Sequence, residues 1–373
     1  MLSSSFLPFH TARILGGGLI GRLLALQLAR AGCQVELFEA QGPDAQGAAA
    51  RVAAAMLAPL AESAIAPLPV VRMGQYGLSR WPELITQLDA PVFFQRDGTL
   101  LLWHRQDATE AARFTQTLAR TQAAEPSLPA MQALDGAAVT ALEPSLERRF
   151  TRGMLLPGEG QLDNRALLAA LQTTLEAMPN VQLHWDSPRA PQDFAPPAEG
   201  ERLIDCRGLG ARAHWPAGHA LRGVRGEVAR VHAPEVTLSR PTRLVHPRYP
   251  IYIAPKPDHL FVIGATEIES DDLSPPSVRS TLELLSAAYA VHPGFAEARI
   301  LEIATQCRPT LPDNLPALRW LAPRVLQVNG LYRHGFMISP AMLDATMEQL
   351  AAAGPGTRTP LAERFHLNLF TPE

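Results

Sequence analysis

The sequence predicts an α/β fold in which a Rossmann-like domain is interleaved with a second domain built on a mixed β-sheet. Two observations support this prediction. A strand, a glycine turn, a helix and a second strand follow one another within the first 39 residues, which is the order of a Rossmann βαβ unit. Strands that run into glycine turns return in the last third of the chain. A chain that comes back to its first domain explains why such motifs lie at both ends.

The first unit begins at residues 12–21, ARILGGGLIG, where three glycines have the spacing G-x-G-x-x-G. In this motif the first glycine permits a tight turn, the second lets backbone approach a pyrophosphate, and the third lets the helix pack on the strand. Residues 22–31 have the apolar spacing of a helix, whose N-terminus offers free N–H groups and positive dipole to phosphates. The residues predicted to bind a dinucleotide here are Gly16, Gly18, Leu19, Ile20 and Gly21.

Glu39 ends the second strand, residues 34–39, which alternates in polarity as strands do. A carboxylate at this place can accept both hydroxyl protons of an adenosine ribose and would repel a 2′-phosphate. The acid therefore favours FAD or NAD over NADP, and the motif does not separate FAD from NAD.

The middle of the chain carries weaker signals. Residues 51–62, RVAAAMLAPLAE, have the composition of an alanine-rich helical turn. Asp163 is placed to cap a helix over residues 164–178. After a proline-rich surface loop, residues 202–210 predict a buried strand that runs into a second glycine turn.

The last third repeats this pattern of strand and turn. Strands are predicted at residues 251–255 and 260–267, and a helix from about residue 276 to 291. Residues 328–340 form a further glycine turn that opens a helix reaching residue 353, with Ser339 as N-cap and Pro340 at the first helical position. We expect the N-terminus of that helix to lie beside a ligand.

Composition excludes several classes of protein. The 373 residues include 33 Lys plus Arg and 36 Asp plus Glu, a net charge of −3, which argues against a dedicated nucleic-acid binder. A hydrophobic content of 47% is enough to bury one large core or two linked cores. Residues 1–11 lack a basic segment, and glycines and Arg22 interrupt the apolar stretch behind them. We predict neither a signal peptide nor a membrane span.

Three cysteines, Cys33, Cys206 and Cys307, are too few for a disulfide framework, so a reducing cytoplasm is the expected location. His214 and His219 lack the spacing and the third ligand of a metal site, and no metal is predicted. The sequence also shows no Ser-His-Asp set and no paired-carboxylate site. The difficult chemistry is therefore expected to come from the cofactor.

Five further motifs occur in order along the chain: AAAMLAP at 53–59, GQLDNRAL at 160–167, IGATE at 263–267, RPTLPDNLP at 308–316 and GLYRHGFMISP at 330–340. With the glycine turn, this set resembles the glycine oxidase (ThiO-type) branch of the D-amino-acid oxidase and sarcosine oxidase superfamily of FAD enzymes. Departures from the family pattern are Ala55 in place of a glycine, Pro312 and Asn314 within the arginine motif, and His334 where better-known members have asparagine.

The resemblance implies roles for individual residues. It makes Arg308 the clamp for a substrate carboxylate, a task that suits the bidentate guanidinium. Tyr252 matches the tyrosine whose hydroxyl supports the same carboxylate, and Arg333 matches the arginine at the mouth of the pocket. Further residues that it places at the flavin are Met56, Leu57, Gly208, His334, Gly335, Phe336 and Ile338.

The resemblance also raises a covalent flavin link, because Cys307 lies close to where sarcosine oxidases carry the cysteine that bonds the flavin. The spacing differs, since Cys307 leads directly into Arg308 and Pro309. A buried cysteine is more often a small hydrophobe than a reactive thiol. We predict that FAD is held non-covalently.

The function implied is FAD-dependent oxidation of a small amine or amino acid, with glycine as the first candidate. The products are an imine, which hydrolyses to glyoxylate and ammonia, and hydrogen peroxide from O2. Supply of the thiazole branch of thiamine biosynthesis, with thiazole synthase as a candidate partner, rests wholly on the resemblance.

Several alternatives stay open. Sarcosine or D-amino-acid oxidation uses the same scaffold. A quinone-linked amino acid dehydrogenase is disfavoured by the lack of a basic amphipathic segment. A non-catalytic flavin-binding protein is disfavoured because Tyr252, Arg308 and Arg333 are all kept.

We expect an FAD domain made of residues 1–80, 146–210 and 306–373. Residues 81–145 and 211–305 are expected to form the substrate domain. The oligomeric state is not predicted.

Overall fold

The computed structural model describes residues 7–147, 149–245 and 251–372. The strands in chain order are β1 Thr11–Leu15, β2 Gln34–Phe38, β3 Met56–Leu57, β4 Phe94–Gln95, β5 Thr99–Leu102, β6 Gln132–Asp135, β7 Arg152–Leu156, β8 Gly160–Leu162, β9 Val181–His184, β10 Glu201–Asp205, β11 Arg222–His232, β12 Thr242–Leu244, β13 Ile251–Lys256, β14 Leu260–Gly264, β15 Arg299–Thr310, β16 Ala317–Ala322, β17 Val325–Asn329 and β18 Asn368–Phe370. The helices are α1 Leu19–Arg30, α2 Ala49–Val52, α3 Pro59–Glu62, α4 Leu68–Ile85, α5 Ala108–Ala124, α6 Gly136–Leu142, α7 Asn164–Ala177, α8 Val278–Val291, α9 Gly335–Ala351 and α10 Pro360–Arg364.

A seven-stranded sheet carries the glycine motif. Its order is β18-β16-β17-β10-β1-β2-β9, with β1 parallel to both β2 and β10. Helix α1 packs against α7 and α9, and ten of its twelve residues are buried. The predicted Rossmann-like unit is confirmed, and β10 places the second glycine turn, at Gly208, beside the first because their strands are neighbours.

The second large sheet has eight strands in the order β15-β11-β14-β13-β12-β5-β7-β6. It is mixed, since β12 pairs parallel with β5 while β11, β13 and β14 pair antiparallel with their neighbours. The predicted α/β fold with a mixed second sheet is therefore confirmed. A small third sheet, β3-β8-β4, joins the segment around Met56 to residues 160–162.

The two large sheets can be set beside the predicted domain boundaries, and residues 306–310 of β15, like β7, lie in the mixed sheet although they were predicted in the FAD domain. Strands β9, β10 and β16 to β18 join β1 in the first sheet, as their placement in the FAD domain requires. Strand β7, predicted within that domain, pairs with β5 and β6 of the mixed sheet instead. We keep the interleaved two-domain division as a proposal, with β7 assigned to the substrate domain.

The last long helix begins earlier than predicted. Helix α9 starts at Gly335, so Ser339 is not its N-cap and Pro340 lies inside it. Proline has no N–H for the carbonyl four residues before it, which here is that of Phe336. The indole Nε1–H of Trp81 on α4 donates to this carbonyl at 2.8 Å. A tertiary contact thus supplies the hydrogen bond that Pro340 cannot, and the helix continues through it.

Other local predictions need smaller corrections. Residues 51–62 do not form one helical turn, because β3 separates α2 from α3. The side chain of Asp163 caps α7 as predicted, accepting from the backbone of Arg165 and Ala166. The prediction that residues 1–11 are not a signal peptide falls partly outside the described residues, since residues 1–6 are not among them. Within the described residues, the helices are all too short or too polar to cross a membrane.

Candidate active site

A cavity of about 680 Å3 runs from the glycine turn to a cluster of arginines, a volume typical of cofactor and ligand sites. Most of the residues predicted to bind cofactor or substrate line it. These are Gly16, Gly18, Leu19, Ile20, Glu39, Met56, Gly208, Tyr252, Arg308, Arg333, His334, Gly335 and Phe336. Three predicted residues, Gly21, Leu57 and Ile338, do not line it. Leu57 and Ile338 are fully buried in the hydrophobic core, so they support the wall from behind.

The glycine turn is packed so closely that side chains cannot replace two of its glycines. Gly16 has φ +96°, and a Cβ there would lie 2.6 Å from the carbonyl oxygen of Cys206. A Cβ at Gly21 would lie 1.9 Å from the carbonyl oxygen of Gly16. Gly18 differs, since a Cβ there would make only an ordinary 3.7 Å contact with Ala48. The lack of a Cβ at Gly18 therefore matters on the side that faces the cavity.

Arg22 holds the turn in place, and sequence reasoning missed this role. Its fully buried guanidinium donates to the carbonyls of Gly17 at 2.7 Å, Leu168 at 2.8 Å and Pro43 at 2.6 Å. Burial lowers the pKa of Arg22 to about 10, which still leaves it charged at neutral pH. An arginine in an apolar helix is a sequence signal that could have indicated a buried clamp.

Glu39 lies at the carboxyl end of β2, on the cavity wall. Its Oε2 accepts from the Gly17 N–H at 2.5 Å, and its Oε1 accepts from the Gln41 N–H at 3.1 Å. The carboxylate is thus fixed beside the glycine turn. This is the position that recognition of a ribose requires.

The wall opposite carries a strained residue. Ala55, which replaces the glycine of the family pattern, has φ +53° and lines the cavity, and this conformation costs a residue with a Cβ about 1–2 kcal/mol. The buried ammonium of Lys256 donates to the carbonyls of Ala54 and Leu162 and to Oε1 of Gln161, at 2.7 to 3.0 Å. These bonds tie the strained segment to β8 and β13.

Helix α9 brings its N-terminus to the other end of the cavity, where His334, Gly335 and Phe336 lie. Its free N–H groups and dipole favour negative charge there. His334 is buried, and burial lowers the pKa of its imidazole despite Glu62, whose Oε2 is 3.4 Å from Nδ1. A neutral imidazole therefore stands at this end at neutral pH.

Arg308 is a cation without an acidic partner among the described residues. From β15 its guanidinium donates only to backbone carbonyls, those of Arg225 at 3.3 Å and Thr266 at 3.1 Å. A Cβ at Gly226 would lie 2.3 Å from the guanidinium, so this glycine provides its space. Burial and the nearby Arg333 lower the pKa of Arg308. Even a half-buried charge without a counterion is costly, and a bound carboxylate would balance it.

Tyr252 reaches the same end of the cavity from β13. It pairs with Gly264, where a Cβ would lie 2.5 Å from the phenol oxygen. Its hydroxyl has no hydrogen-bond partner in the described parts of the chain, and burial raises the pKa of the phenol. A neutral hydroxyl is therefore available to donate to an anion.

Arg333 has two carboxylate partners, neither of which the sequence analysis singled out. Its Nε lies 3.1 Å from Oε2 of the buried Glu62, and its Nη1 donates to Oε2 of Glu267. Glu62 also binds Arg243. Burial opposes the charge of Glu62, but Arg333 and Arg243 outweigh it and hold the pKa of this carboxyl well below its ordinary value. The acid and both arginines are thus charged.

Glu159 gives a pH dependence of stability. It is buried with its Oε1 accepting from the Ala61 N–H at 2.8 Å, and burial raises its pKa from 4.5 to about 7. The folded state binds the proton of the Glu159 carboxyl group more tightly than the unfolded state does. The contribution of this protonated group to the free energy of unfolding is therefore full below pH 4.5 and is lost as pH rises through 7. Glu159→Gln keeps the acceptor and removes the titration. We expect its melting temperature, relative to wild type, to be several degrees higher at pH 8 than at pH 5.

Glu83→Gln is the control, because the Glu83 side chain is 67% exposed. Thermal melts at the two pH values check the expectation. An equal difference between wild type and Glu159→Gln at both would contradict it.

The cavity fits a dinucleotide. The first residues of two long helices, α1 and α9, line it, and a Cβ at Gly335 would meet nothing within 4 Å. The guanidinium of Arg308, which has no acidic partner among the described residues, also lines it. Such a cradle beside a half-buried arginine is typical of a dinucleotide-dependent enzyme. The chain belongs to the DAO family of FAD-dependent oxidoreductases, whose family model matches residues 12–348.

Similar proteins agree with this assignment. A protein of Rhizobium etli named as a putative thiamine biosynthesis oxidoreductase, ThiO, is 40% identical over 335 residues, which are 90% of this chain and 94% of that protein. The structure of glycine oxidase from Geobacillus kaustophilus has a TM-score of 0.77 at 24% identity, over 96% of this chain and 98% of that one. Iminodiacetate oxidase from Chelativorans sp. has a TM-score of 0.78 at 22% identity, over 97% and 100%. The two structures share the fold.

Proposed function

We propose that this FAD-dependent oxidoreductase oxidises a small amino acid, with glycine as the first candidate. The observation that carries the proposal is Arg308, a cation on the cavity wall near the phenol of Tyr252. Among the described residues, this arginine has only carbonyl partners and the phenol hydroxyl has none. The pair matches an α-carboxylate, which accepts two parallel bonds from guanidinium and one from a hydroxyl. The Rhizobium etli relative, named for thiamine biosynthesis, supports a role in that pathway.

The reaction proposed converts glycine, O2 and water to glyoxylate, ammonia and hydrogen peroxide. The chemistry that FAD supplies when bound is acceptance of two electrons, which O2 then removes as peroxide. Gly16, Gly18 and Glu39 would hold the dinucleotide, and the N-terminus of α9 would stabilise negative charge on it.

The protein's own part is to bind and orient the substrate. Arg308 holds the carboxylate and Tyr252 donates its hydroxyl proton in a hydrogen bond to the same group. Fixing the carboxylate at two points fixes the direction of the Cα–H bond, and alignment of this kind can account for several kcal/mol of a barrier. No titrating base is required of the chain, since the amine reacts in its neutral form.

Several wider proposals accompany this one. A reducing, cytoplasmic location is supported by Cys33, Cys206 and Cys307, which are all free. Delivery of the imine to thiazole synthase remains a proposal drawn from family resemblance. Sarcosine and D-amino acids are the alternative substrates.

We further expect the flavin to be bound non-covalently. Cys307 is buried, its Sγ lies 3.5 Å from the Ser270 carbonyl oxygen, and burial raises the pKa of its thiol. Cys307 lines the cavity, as Arg308 does, but its Sγ is directed at the backbone carbonyls of Ser270 and Asp272. A protonated thiol is a poor nucleophile.

Acid precipitation of the yellow protein should leave FAD in the supernatant and a colourless pellet. Cys307→Ser should behave as wild type does. A denatured protein heavier by one FAD, with the extra mass lost in Cys307→Ser, would contradict the expectation.

The test of function is peroxide release by the purified yellow protein with a panel of small amines. Glycine, sarcosine and D-alanine separate the substrate alternatives, and a quinone acceptor in place of O2 separates an oxidase from a dehydrogenase. Oxidation of none of these amines with either acceptor would overturn the proposal.

A further inference from the structure

The charges at the substrate end of the cavity are almost balanced within the protein. Three arginines, Arg243, Arg308 and Arg333, line this end together with the buried Glu62. A second acid, Glu267, follows β14 and binds Arg333. Among the described residues, three cations against two carboxylates leave one positive charge. That charge is the guanidinium of Arg308, since Arg243 and Arg333 both have acidic partners.

Both carboxylate oxygens of Glu267 accept hydrogen bonds from residues that line the cavity. Oε1 accepts from the Tyr332 hydroxyl at 2.5 Å, and Oε2 accepts from Arg333. Its side chain is 41% exposed, whereas that of Arg333 is 15% exposed. The acid is therefore the more exposed partner of this ion pair, and the arginine is the partner that lines the cavity.

Removing Glu267 would change the charge available to a substrate. Arg333 would keep its contact with Glu62 but would have one guanidinium edge free. In the wild-type protein, by contrast, an incoming carboxylate has to displace Glu267 from that edge of Arg333 and approach the negative charge of Glu267. Repulsion between like charges is one way in which a site rejects the wrong ligand. With the acid gone, the same edge would attract a carboxylate.

We propose that Glu267 is a specificity-determining residue that restricts this enzyme to amines with a single carboxylate. Arg308 binds that carboxylate, while Glu267 pairs with Arg333 and repels a second carboxylate. Amines with two carboxylates, of which iminodiacetate is the simplest relative of glycine, are thereby excluded. The inference rests on the proposed function, because it assumes that the substrate carboxylate lies on Arg308.

The experiment compares flavin-loaded wild type with Glu267→Gln. Glutamine keeps the size and a hydrogen-bond acceptor for Tyr332 while it removes the charge. Peroxide release gives kcat/KM for glycine and for iminodiacetate. We expect the ratio of iminodiacetate to glycine to rise at least tenfold in Glu267→Gln, with wild type strongly favouring glycine.

Glu269→Gln is the matched control. Glu269 is two residues away, is 67% exposed and pairs with Arg222, which does not line the cavity, whereas Arg333, the partner of Glu267, does. The Glu269→Gln variant loses the same charge from the same segment. An effect that came only from a general change of surface potential would therefore appear in this variant as well. We expect its ratio to equal that of wild type.

A binding measurement separates this inference from the proposed function. Acetate and malonate carry one and two carboxylates and cannot be oxidised as amines, and their binding is followed by the change in the visible flavin spectrum. The affinity ratio of malonate to acetate should rise at least tenfold in Glu267→Gln. If wild type oxidises no amine, the proposed function fails, and this measurement still decides the role of Glu267.

Three results would overturn the inference while leaving amino acid oxidation intact. One is an unchanged iminodiacetate-to-glycine ratio in Glu267→Gln. Another is a wild type that accepts iminodiacetate as well as glycine. The third is an equal rise in Glu269→Gln.

Discussion

Arg308→Ala should lower kcat/KM for the amino acid substrate at least tenfold while the protein keeps its FAD. KM should rise and kcat should fall together, because the guanidinium both binds the carboxylate and aligns the Cα–H bond. A hydrogen bond between charged groups contributes about 1.5–3 kcal/mol, and about 1.4 kcal/mol corresponds to a factor of ten. Steady-state peroxide release measures both constants.

Arg308→Lys should recover only part of the loss. An ammonium supplies the charge but not two parallel N–H groups in a plane. The matched control is Arg299→Ala at the other end of the same strand, where the arginine is exposed and donates to the Glu297 carbonyl. If Arg308→Ala oxidises glycine as wild type does, the carboxylate is bound elsewhere.

Gly18→Ala should abolish FAD binding while leaving the fold intact. Within the protein the new methyl group would meet only the Cβ of Ala48 at 3.7 Å, so folding has no reason to fail. On the other side Gly18 lines the cavity at the start of α1, where backbone must approach a pyrophosphate closely. The ratio of flavin to protein absorbance should fall at least tenfold in the purified variant.

Gly21→Ala makes a contrasting case. Its Cβ would lie 1.9 Å from the Gly16 carbonyl oxygen, so both thermal stability and flavin content should fall. Gly354→Ala is the control, because nothing lies within 4 Å of its added Cβ. A yellow Gly18→Ala protein with a normal FAD content would refute the placement of the dinucleotide on this turn.

The N-terminal unit shows how much a local pattern can predict. The strand, turn, helix and strand were predicted from glycine spacing and apolar periodicity, and the observed β1, α1 and β2 agree within three residues. Such a unit is readable because each of its requirements is local: a turn without Cβ atoms, an apolar helix face and an alternating strand.

The start of α9 shows where local patterns fail. Ser339 and Pro340 have the sequence of a helix N-terminus, and the helix nevertheless begins at Gly335. Trp81, 255 residues away in the chain, bonds the carbonyl that the proline leaves free. Gly77 lets the two helices approach, since a Cβ there would lie 2.2 Å from the Met337 carbonyl oxygen.

The sequence by itself determined the family, the cofactor and the fold class, since these rest on glycine spacing, an acid at a strand end and motifs in a fixed order. It also identified Tyr252, Arg308 and Arg333 as the residues to examine. Only the tertiary structure decided which of these arginines has no counterion among the described residues. Glu62 and Glu267 come from α3 and from the turn after β14 to meet Arg333, and Arg308 is left with backbone carbonyls. Charge pairing depends on distance in space, and motif spacing along the chain does not contain that distance.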